Sequence, residues 1–358
     1  MTPTAQFKQQ SASTARRQSP PLVSILIPAY NAEKWIARAV ESAVNQTWPN
    51  KEVIIVNDGS TDRTLAVAQR LASTVVRVVS QENQGAAAAR NKALSLSQGT
   101  YIQWLDADDL LATDKIARQM EVLQSSSKGT LVSSAWGRFF HRPYDADFTR
   151  TSLWCDLSPV DWLIRKMTDN VYMQTAAWLV SRELTEAAGP WDTRMLGDDD
   201  GEYFARVIVR AESVRFVPEA KVFYRRTGFN TLSQIALSNE KMDADFHSVQ
   251  LQISHLRQLE DSEQTRRACV AYLQHSLDHY YPARPDIVDQ ATALAKTLGG
   301  RVVTPRFSWK YGWLDTLFGP AVAKRAQIFL PQIGLTVARW WDKAMFSLES
   351  KGRSHARS

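Results

Sequence analysis

The chain has 358 residues, 44% hydrophobic and 22% charged, a composition that argues against a disordered or collagen-like protein and for one large α/β domain or two smaller ones. Its two cysteines, Cys155 and Cys269, lie far apart and outside any ligand spacing; they support neither a disulfide scaffold nor a zinc site, and a reducing compartment fits best. The net charge of +6 gathers at the ends, with three basic and no acidic residues in 1–21 and ten basic against three acidic in 301–358, so the acidic middle argues against a nucleic-acid enzyme.

Residues 1–21 are polar and lack the apolar core of a secretory signal. They read as a disordered lead-in, with a transit peptide as the other reading because they hold basic residues and no acid. The run LVSILI (22–27) is short, apolar and β-branched; it predicts a buried parallel strand stopped by Pro28. Trp35, Ile36, Ala39, Val40 and Ala43 then recur at helical spacing. A second strand, EVIIV (52–56), runs into Asn57-Asp58-Gly59-Ser60, and Leu65, Ala68 and Leu71 space a helix. A third strand is expected over 75–79, an Ala-rich helix opens at Gly85, and a fourth strand, TYIQWL (100–105), ends in carboxylates. Thr113 is the expected N-cap of a helix carrying Ile116, Met120 and Leu123.

This alternation predicts a mostly parallel sheet flanked by helices. Its polar clusters all follow strands, so Asp58 and Asp106, Asp108 and Asp109 are expected to meet at the carboxyl rim of the sheet. Further on, 131–134 reads as a strand, 139–159 as an aromatic loop and 176–180 as an apolar run. The charged stretch LGDDDGEYF enters a helix, and 214–217 and 221–225 look like a final pair of strands. From about Leu232 the pattern is helical, placing a domain edge near 230. Residues 314–346 are apolar with interspersed Lys324, Arg325, Arg339 and Lys343; Pro320 and Pro331 are expected to break them into pieces too short to span a membrane.

The stretch WLDADD (104–109) crowds three carboxylates into four positions. A helix start accounts for one of them and not for three. A hard cation such as Mn²⁺ or Mg²⁺, held by carboxylates and substrate phosphates, accounts for the cluster. No GxxxxGK[ST] loop exists, and Pro28-Ala29-Tyr30-Asn31 stands where a dinucleotide fold needs GxGxxG. A nucleoside diphosphate held from the strand ends is the remaining reading. A second acidic cluster, Asp198, Asp199, Asp200 and Glu202, offers four candidates for a general base, with a solvated helix start as the alternative.

SILIPAYN (24–31), EVIIVNDGSTD (52–62), NQGAAAARN (83–91) and WLDADD (104–109) resemble, in order and spacing, the serial motifs of family 2 glycosyltransferases. Residues 189–226 resemble that family's acceptor-side segment, so the likeness spans about 22–227. It implies a GT-A type Rossmann-like fold with a helical C-terminal region, an inverting mechanism and a nucleotide-sugar donor. It implies that Asp106 and Asp108 form a DXD pair, with Asp108 and Asp109 sharing the metal role, and that Asp58 accepts a hydrogen bond from the nucleobase. Pro28 and Tyr30 then line the nucleotide pocket, although Tyr30 is equally readable as a core residue, and Gly85 brings backbone N–H groups toward phosphate. Arg90 reaches a phosphate or pairs with an acid. Aligning on Arg206 makes Asp200 the base and Asp199 the second choice, the run of three aspartates blurring the register by one.

The expected protein is thus a metal-dependent transferase of a hexose or N-acetylhexosamine, from UDP to a hydroxyl of a polysaccharide, lipopolysaccharide or glycolipid. The expected layout is a lead-in (1–21), a catalytic domain (22–230) and a helical region (231–358). The enzyme is expected in the cytoplasm, either free or peripheral at the inner face of the membrane through its basic apolar tail. A sugar nucleotidyltransferase is the alternative enzyme, and a non-catalytic nucleotide-sugar binder the alternative of another class.

Overall fold

The computed structural model describes residues 19–227 and 238–355; the lead-in up to residue 18 and the expected domain edge near 230 lie outside the described residues. The order is β1 (Val23–Ala29), α1 (Ile36–Val44), β2 (Lys51–Asp58), α2 (Thr64–Gln69), β3 (Val76–Gln81), α3 (Ala86–Leu96), β4 (Tyr101–Trp104), β5 (Leu110–Leu111), α4 (Lys115–Gln124) and β6 (Thr130–Phe139). There follow α5 (Pro159–Asp169), β7 (Val180–Ser181), α6 (Arg182–Ala188), α7 (Asp199–Ile208), β8 (Ser213–Arg225), α8 (Asn239–Leu259), α9 (Glu263–Tyr280), α10 (Pro285–Thr297), α11 (Trp309–Phe318) and α12 (Pro320–His355).

The main sheet runs β3-β2-β1-β4-β7. Its first four strands are parallel, and β7 joins β4 antiparallel. Ile25, Leu26 and Ile27 of β1 and Val53 to Val56 of β2 are fully buried, as strands covered on both faces require. The α3 helix lies on this sheet with Ala87, Ala89 and Ala93 buried; methyl side chains permit that close approach. A second sheet, β5-β8-β6, pairs β6 with β8 in parallel. The mixed α/β class with a parallel-dominated sheet, flanking helices and a helical C-terminal region is the expected one.

Several boundaries differ from the sequence reading for local reasons. The first strand runs through Pro28 to Ala29. Leu26 accepts from Leu105 on the β4 side, so Pro28 turns its missing N–H to that side, beyond the last residue paired to β4. The residue at the N-cap position of α4 is Asp114 rather than Thr113, whose carbonyl instead accepts from Thr47. The expected strand at 131–134 continues to Phe139, so the aromatic stretch begins inside the sheet. The two final strands are one, β8, because a register shift at Ser134/Ala135 of β6 absorbs the irregularity between Val217 and Lys221. Of the apolar run 176–180, only Val180 reaches a strand. The expected break at Pro320 is present, since α11 ends at Phe318 and Pro320 starts α12, whereas Pro331 sits inside α12 without ending it, so the piece after Pro320 is one long helix.

The C-terminal helices pack on the sheet domain rather than hanging from it. The α8 helix lies on α7, and α9 on α5. Ser262 and Thr265 cap α9 reciprocally.

Candidate active site

A cleft of about 940 Å³ opens at the carboxyl ends of β1, β2 and β4 and is closed on its far side by the start of α7 and the end of β8. Pro28, Tyr30, Asp58, Gly85, Asp106 and Asp108 line one part of it, and Asp199 and Asp200 the other. Tyr30 is 51% exposed, which excludes the core reading of that side chain.

Asp58 is buried at the end of β2. Its carboxylate accepts from Gln81 Nε2 (2.8 Å), Gln84 N (3.0 Å) and Gly85 N (2.8 Å). It therefore organises the loop before α3 instead of capping the nearby helix. The local work falls to Asp62, which accepts from Thr64 N (2.9 Å) and Glu33 N (3.1 Å). Gly85 enters α3 at φ 89°, a backbone that favours glycine.

The three carboxylates after β4 separate. Asp106 and Asp108 line the cleft, whereas Asp109 is wholly buried and does not. Asp109 accepts from Gln174 Nε2 (2.6 Å) and Arg225 N (2.8 Å), tying β8 to the strand end. Burial, then the charges of Asp108 and Asp106, push its carboxyl well above the ordinary range. Burial and the Asp106 charge also push Asp108 up to about 6. A cation between Asp106 and Asp108 would relieve that repulsion, and two carboxylates with free coordination positions suit a Mn²⁺ or Mg²⁺ completed by substrate phosphate. Among the described residues no group of three or more His, Cys, Asp or Glu side chains is gathered for a metal; Asp106 and Asp108 are the carboxylates of this stretch that line the cleft.

Arg90 joins the two halves of the cleft. This buried guanidinium binds Asp106 (3.0 Å) with one nitrogen and Asp199 (2.5 Å) with another, and lies 4.3 Å from the Trp191 ring centroid. Nothing near NQGAAAARN in sequence marks it beyond a lone charge on an alanine helix.

The second acidic cluster also divides. Asp198 holds a left-handed backbone (φ 51°) and accepts from Ser248 Oγ (2.9 Å) and Gln252 Nε2 (2.7 Å) of α8. Its carboxylate folds over Gly201, where an added Cβ would lie 2.2 Å from Oδ1. Asp199 is taken by Arg90. Glu202 forms a two-pronged pair with Arg206 (2.7 and 2.8 Å). Asp200, like Asp198, makes no ion pair among the described residues; it accepts from Thr175 Oγ1 (3.2 Å) and Gly201 N (3.0 Å). Burial, then the Asp199 and Asp198 charges, push its carboxyl up to about 7.

At the other wall, Arg225 is sandwiched between Trp35 and Phe139, 4.4 and 4.3 Å from their centroids. It donates to the carbonyls of Asp108 (2.7 Å) and Phe140 (2.8 Å). Arg226 points away, exposed beside Phe140. Trp178 is fully buried and stacked on Phe204, so it is a core residue at the cleft floor, whereas Tyr172 is 43% exposed. Lys166, Ser248 and Gln252, which support Asp198 from behind, were not singled out from sequence because their role depends on α8 docking.

Residues 24–174 match the model of Glycosyl transferase family 2. The putative teichuronic acid biosynthesis glycosyltransferase TuaG of Bacillus subtilis is 36% identical over 169 residues, 43% of this chain and 66% of that protein. Chondroitin synthase of Escherichia coli is 47% identical over 111 residues, 30% of this chain and 16% of that protein. The chain thus spans less than two thirds of the length of either. The crystal structure of Staphylococcus aureus TarS 1–349 in complex with UDP superposes with a TM-score of 0.58 over 85% of this chain and 90% of that one, at 14% identity, a likeness of fold.

Proposed function

The chain belongs to glycosyl transferase family 2 through residues 24–174, and from that premise we propose that it is an inverting transferase of a hexose or N-acetylhexosamine from a UDP-sugar to a glycan or glycolipid hydroxyl. The observation that carries this reading is the single cleft that gathers Asp58, Asp106 and Asp108 from the strand ends and Asp200 from α7. The UDP in the similar TarS structure and the polysaccharide enzymes among the relatives support the donor and product classes.

In this reading the nucleobase donates to the acceptor capacity that Asp58 has left, beside Pro28 and Tyr30. The Gly85 end of α3 faces the phosphates. A Mn²⁺ or Mg²⁺ held by Asp106 and Asp108 would neutralise the diphosphate as a leaving group. Asp109 belongs to the scaffold and leaves the metal role to Asp108. Asp200 accepts the proton of the acceptor hydroxyl while that oxygen bonds to the anomeric carbon. The bond from that carbon to the diphosphate breaks on the opposite face, and UDP leaves. A carboxyl poised near 7 matches a base working near neutrality. Asp199 is held by Arg90 and is poorly placed to take a proton.

The tail supports attachment to a membrane surface. No helix among the described residues is long and apolar enough to cross a membrane. Yet α11 and α12 expose Trp309, Phe318, Ile333, Trp340 and Trp341, a surface suited to the interface of an anionic bilayer. The catalytic domain is taken as 22–230 and the supporting helices as 231–358.

Calorimetry with UDP tests the donor site. Binding is expected with Mn²⁺ present, and weaker binding in EDTA or in Asp108→Asn. Equal affinity in all three samples would remove the metal from the account, and no UDP binding at all would remove the function.

A further inference from the structure

A second cavity of about 120 Å³ lies beside the cleft, and Tyr172 walls both. Trp136 of β6 forms its floor, with the Tyr172 ring 5.0 Å away and tilted by 35°. The Arg138 guanidinium lies over the Trp136 ring at 5.0 Å and donates to Tyr172 Oη at 3.2 Å. Asp147, Thr149, Thr151 and Asn170 complete the wall.

The fold uses these groups only in part, Thr151 Oγ1 for example accepting from Leu153 N (3.4 Å). Asn170 ends α5 at φ 50° and is exposed, with its side-chain amide open to a ligand. Asp147 Oδ2 accepts from Thr149 Oγ1 (2.9 Å), while Oδ1 has no partner among the described residues. Trp136 is 5% exposed and its indole N–H is buried without a partner; five other indoles share that state, so this donor counts only together with the others. The cavity offers the partly exposed Tyr172 ring, the Arg138 cation, the Asp147 carboxylate, the hydroxyls of Thr149 and Thr151 and the Asn170 amide. That mixture suits a pyranose, whose C–H face packs on an aromatic ring and whose hydroxyls both donate and accept.

The chain path says which sugar. Tyr172, Met173, Gln174 and Thr175 are consecutive and all line the cleft, and Thr175 donates to Asp200. The segment therefore runs from the side cavity to the candidate base within three residues, roughly 10 Å of extended chain. We propose that this cavity binds one sugar unit of the acceptor, next to the unit whose hydroxyl faces Asp200. The assignment rests on the glycosyltransferase reading for its role, and on the cavity alone for its ligand class.

Saturation-transfer NMR on the full chain tests it, with glucose, N-acetylglucosamine and glucuronate as separate probes, each with and without UDP and Mn²⁺. At least one probe is expected to receive saturation from the protein and to keep it when UDP is added. The signal is expected to disappear in Tyr172→Ala and in Asn170→Gly, the glycine preserving the left-handed turn. Calorimetric UDP binding should be unchanged in Asn170→Gly. The proposal is overturned if no probe receives saturation, if UDP displaces the probe, or if the signal survives both variants. Loss of the signal in both variants together with no UDP binding in wild type would uphold a sugar site and refute the transferase reading.

Discussion

Within the second acidic cluster Asp199 has taken Arg90 and Asp198 has taken the donors of α8, which leaves Asp200 with the Thr175 hydroxyl and the Gly201 N–H. Replacing Asp200 with Asn should leave UDP binding intact and lower transfer by roughly 10² or more, since a base acts only when the acceptor loses its proton. The same change should alter stability. The folded chain keeps the Asp200 proton up to about pH 7, whereas an unfolded aspartate loses it near pH ~4. Between those limits the folded state binds more protons, so its stability falls as pH rises. Asp200→Asn should therefore unfold at a higher temperature than wild type at pH 8 in metal-free buffer, with the gap closing at pH 4.5. A gap that is equal at both pH values would deny the raised carboxyl. Arg90 predicts the opposite outcome. Arg90→Met leaves Asp106 and Asp199 facing each other without their cation and should cost about 3–5 kcal/mol in chemical denaturation; a loss below ~1 kcal/mol would mean the bridge is incidental.

At the scale of elements, the first turn of α7 is fixed from outside its own sequence. Asp198 adopts φ 51° with its carboxylate over Gly201, and α8 supplies the donors that hold it there. In an ordinary helix Gly→Ala stabilises by about 1 kcal/mol. Here the added methyl would collide with Asp198, so Gly201→Ala should destabilise by about 1–3 kcal/mol and reduce turnover. A stabilised, fully active Gly201→Ala would show that this turn is free to adjust. The strands and their carboxyl ends were legible in sequence because apolar runs and turn residues are local signals, and the motifs at 57–62 and 104–109 follow those runs directly. Which aspartate of each cluster faces the cleft was not legible. Asp108 and Asp109 differ only in what they meet, and Asp109 meets Gln174 and Arg225, 65 and 116 residues away. Asp198 and Asp200 are likewise sorted by Ser248, Gln252 and Thr175. The one-helix course of α12 through Pro331 was hidden for a related reason: a proline argues locally for a break, and the packing of α11 on α12 is not a local signal.

At the scale of the molecule, α12 is fastened by one face and bare on another. Asp342 accepts from His141 N (2.8 Å) and Arg142 Nε (2.6 Å), and Arg339 donates to the Thr227 carbonyl (2.7 Å). Trp340 and Trp341, 71% and 70% exposed, lie outside that contact. The full chain should co-sediment with anionic vesicles at low salt and release as salt rises, because its basic tail meets the lipid charge across a short screening length. Replacing Trp340 and Trp341 together with alanine should reduce sedimentation without lowering the melting temperature. Indifference of the wild-type chain to anionic vesicles at low salt would make α12 a cap and nothing more.

If the cleft breaks the bond between a sugar and UDP, both acidic clusters take part. Release of UDP from UDP-glucose and UDP-N-acetylglucosamine, followed in Mn²⁺ and in EDTA for wild type, Asp108→Asn and Asp200→Asn, tests it most directly. Wild type is expected to release UDP in Mn²⁺ from at least one donor, and that release is expected to collapse in both variants. Release by Asp108→Asn and Asp200→Asn at the wild-type rate would contradict it.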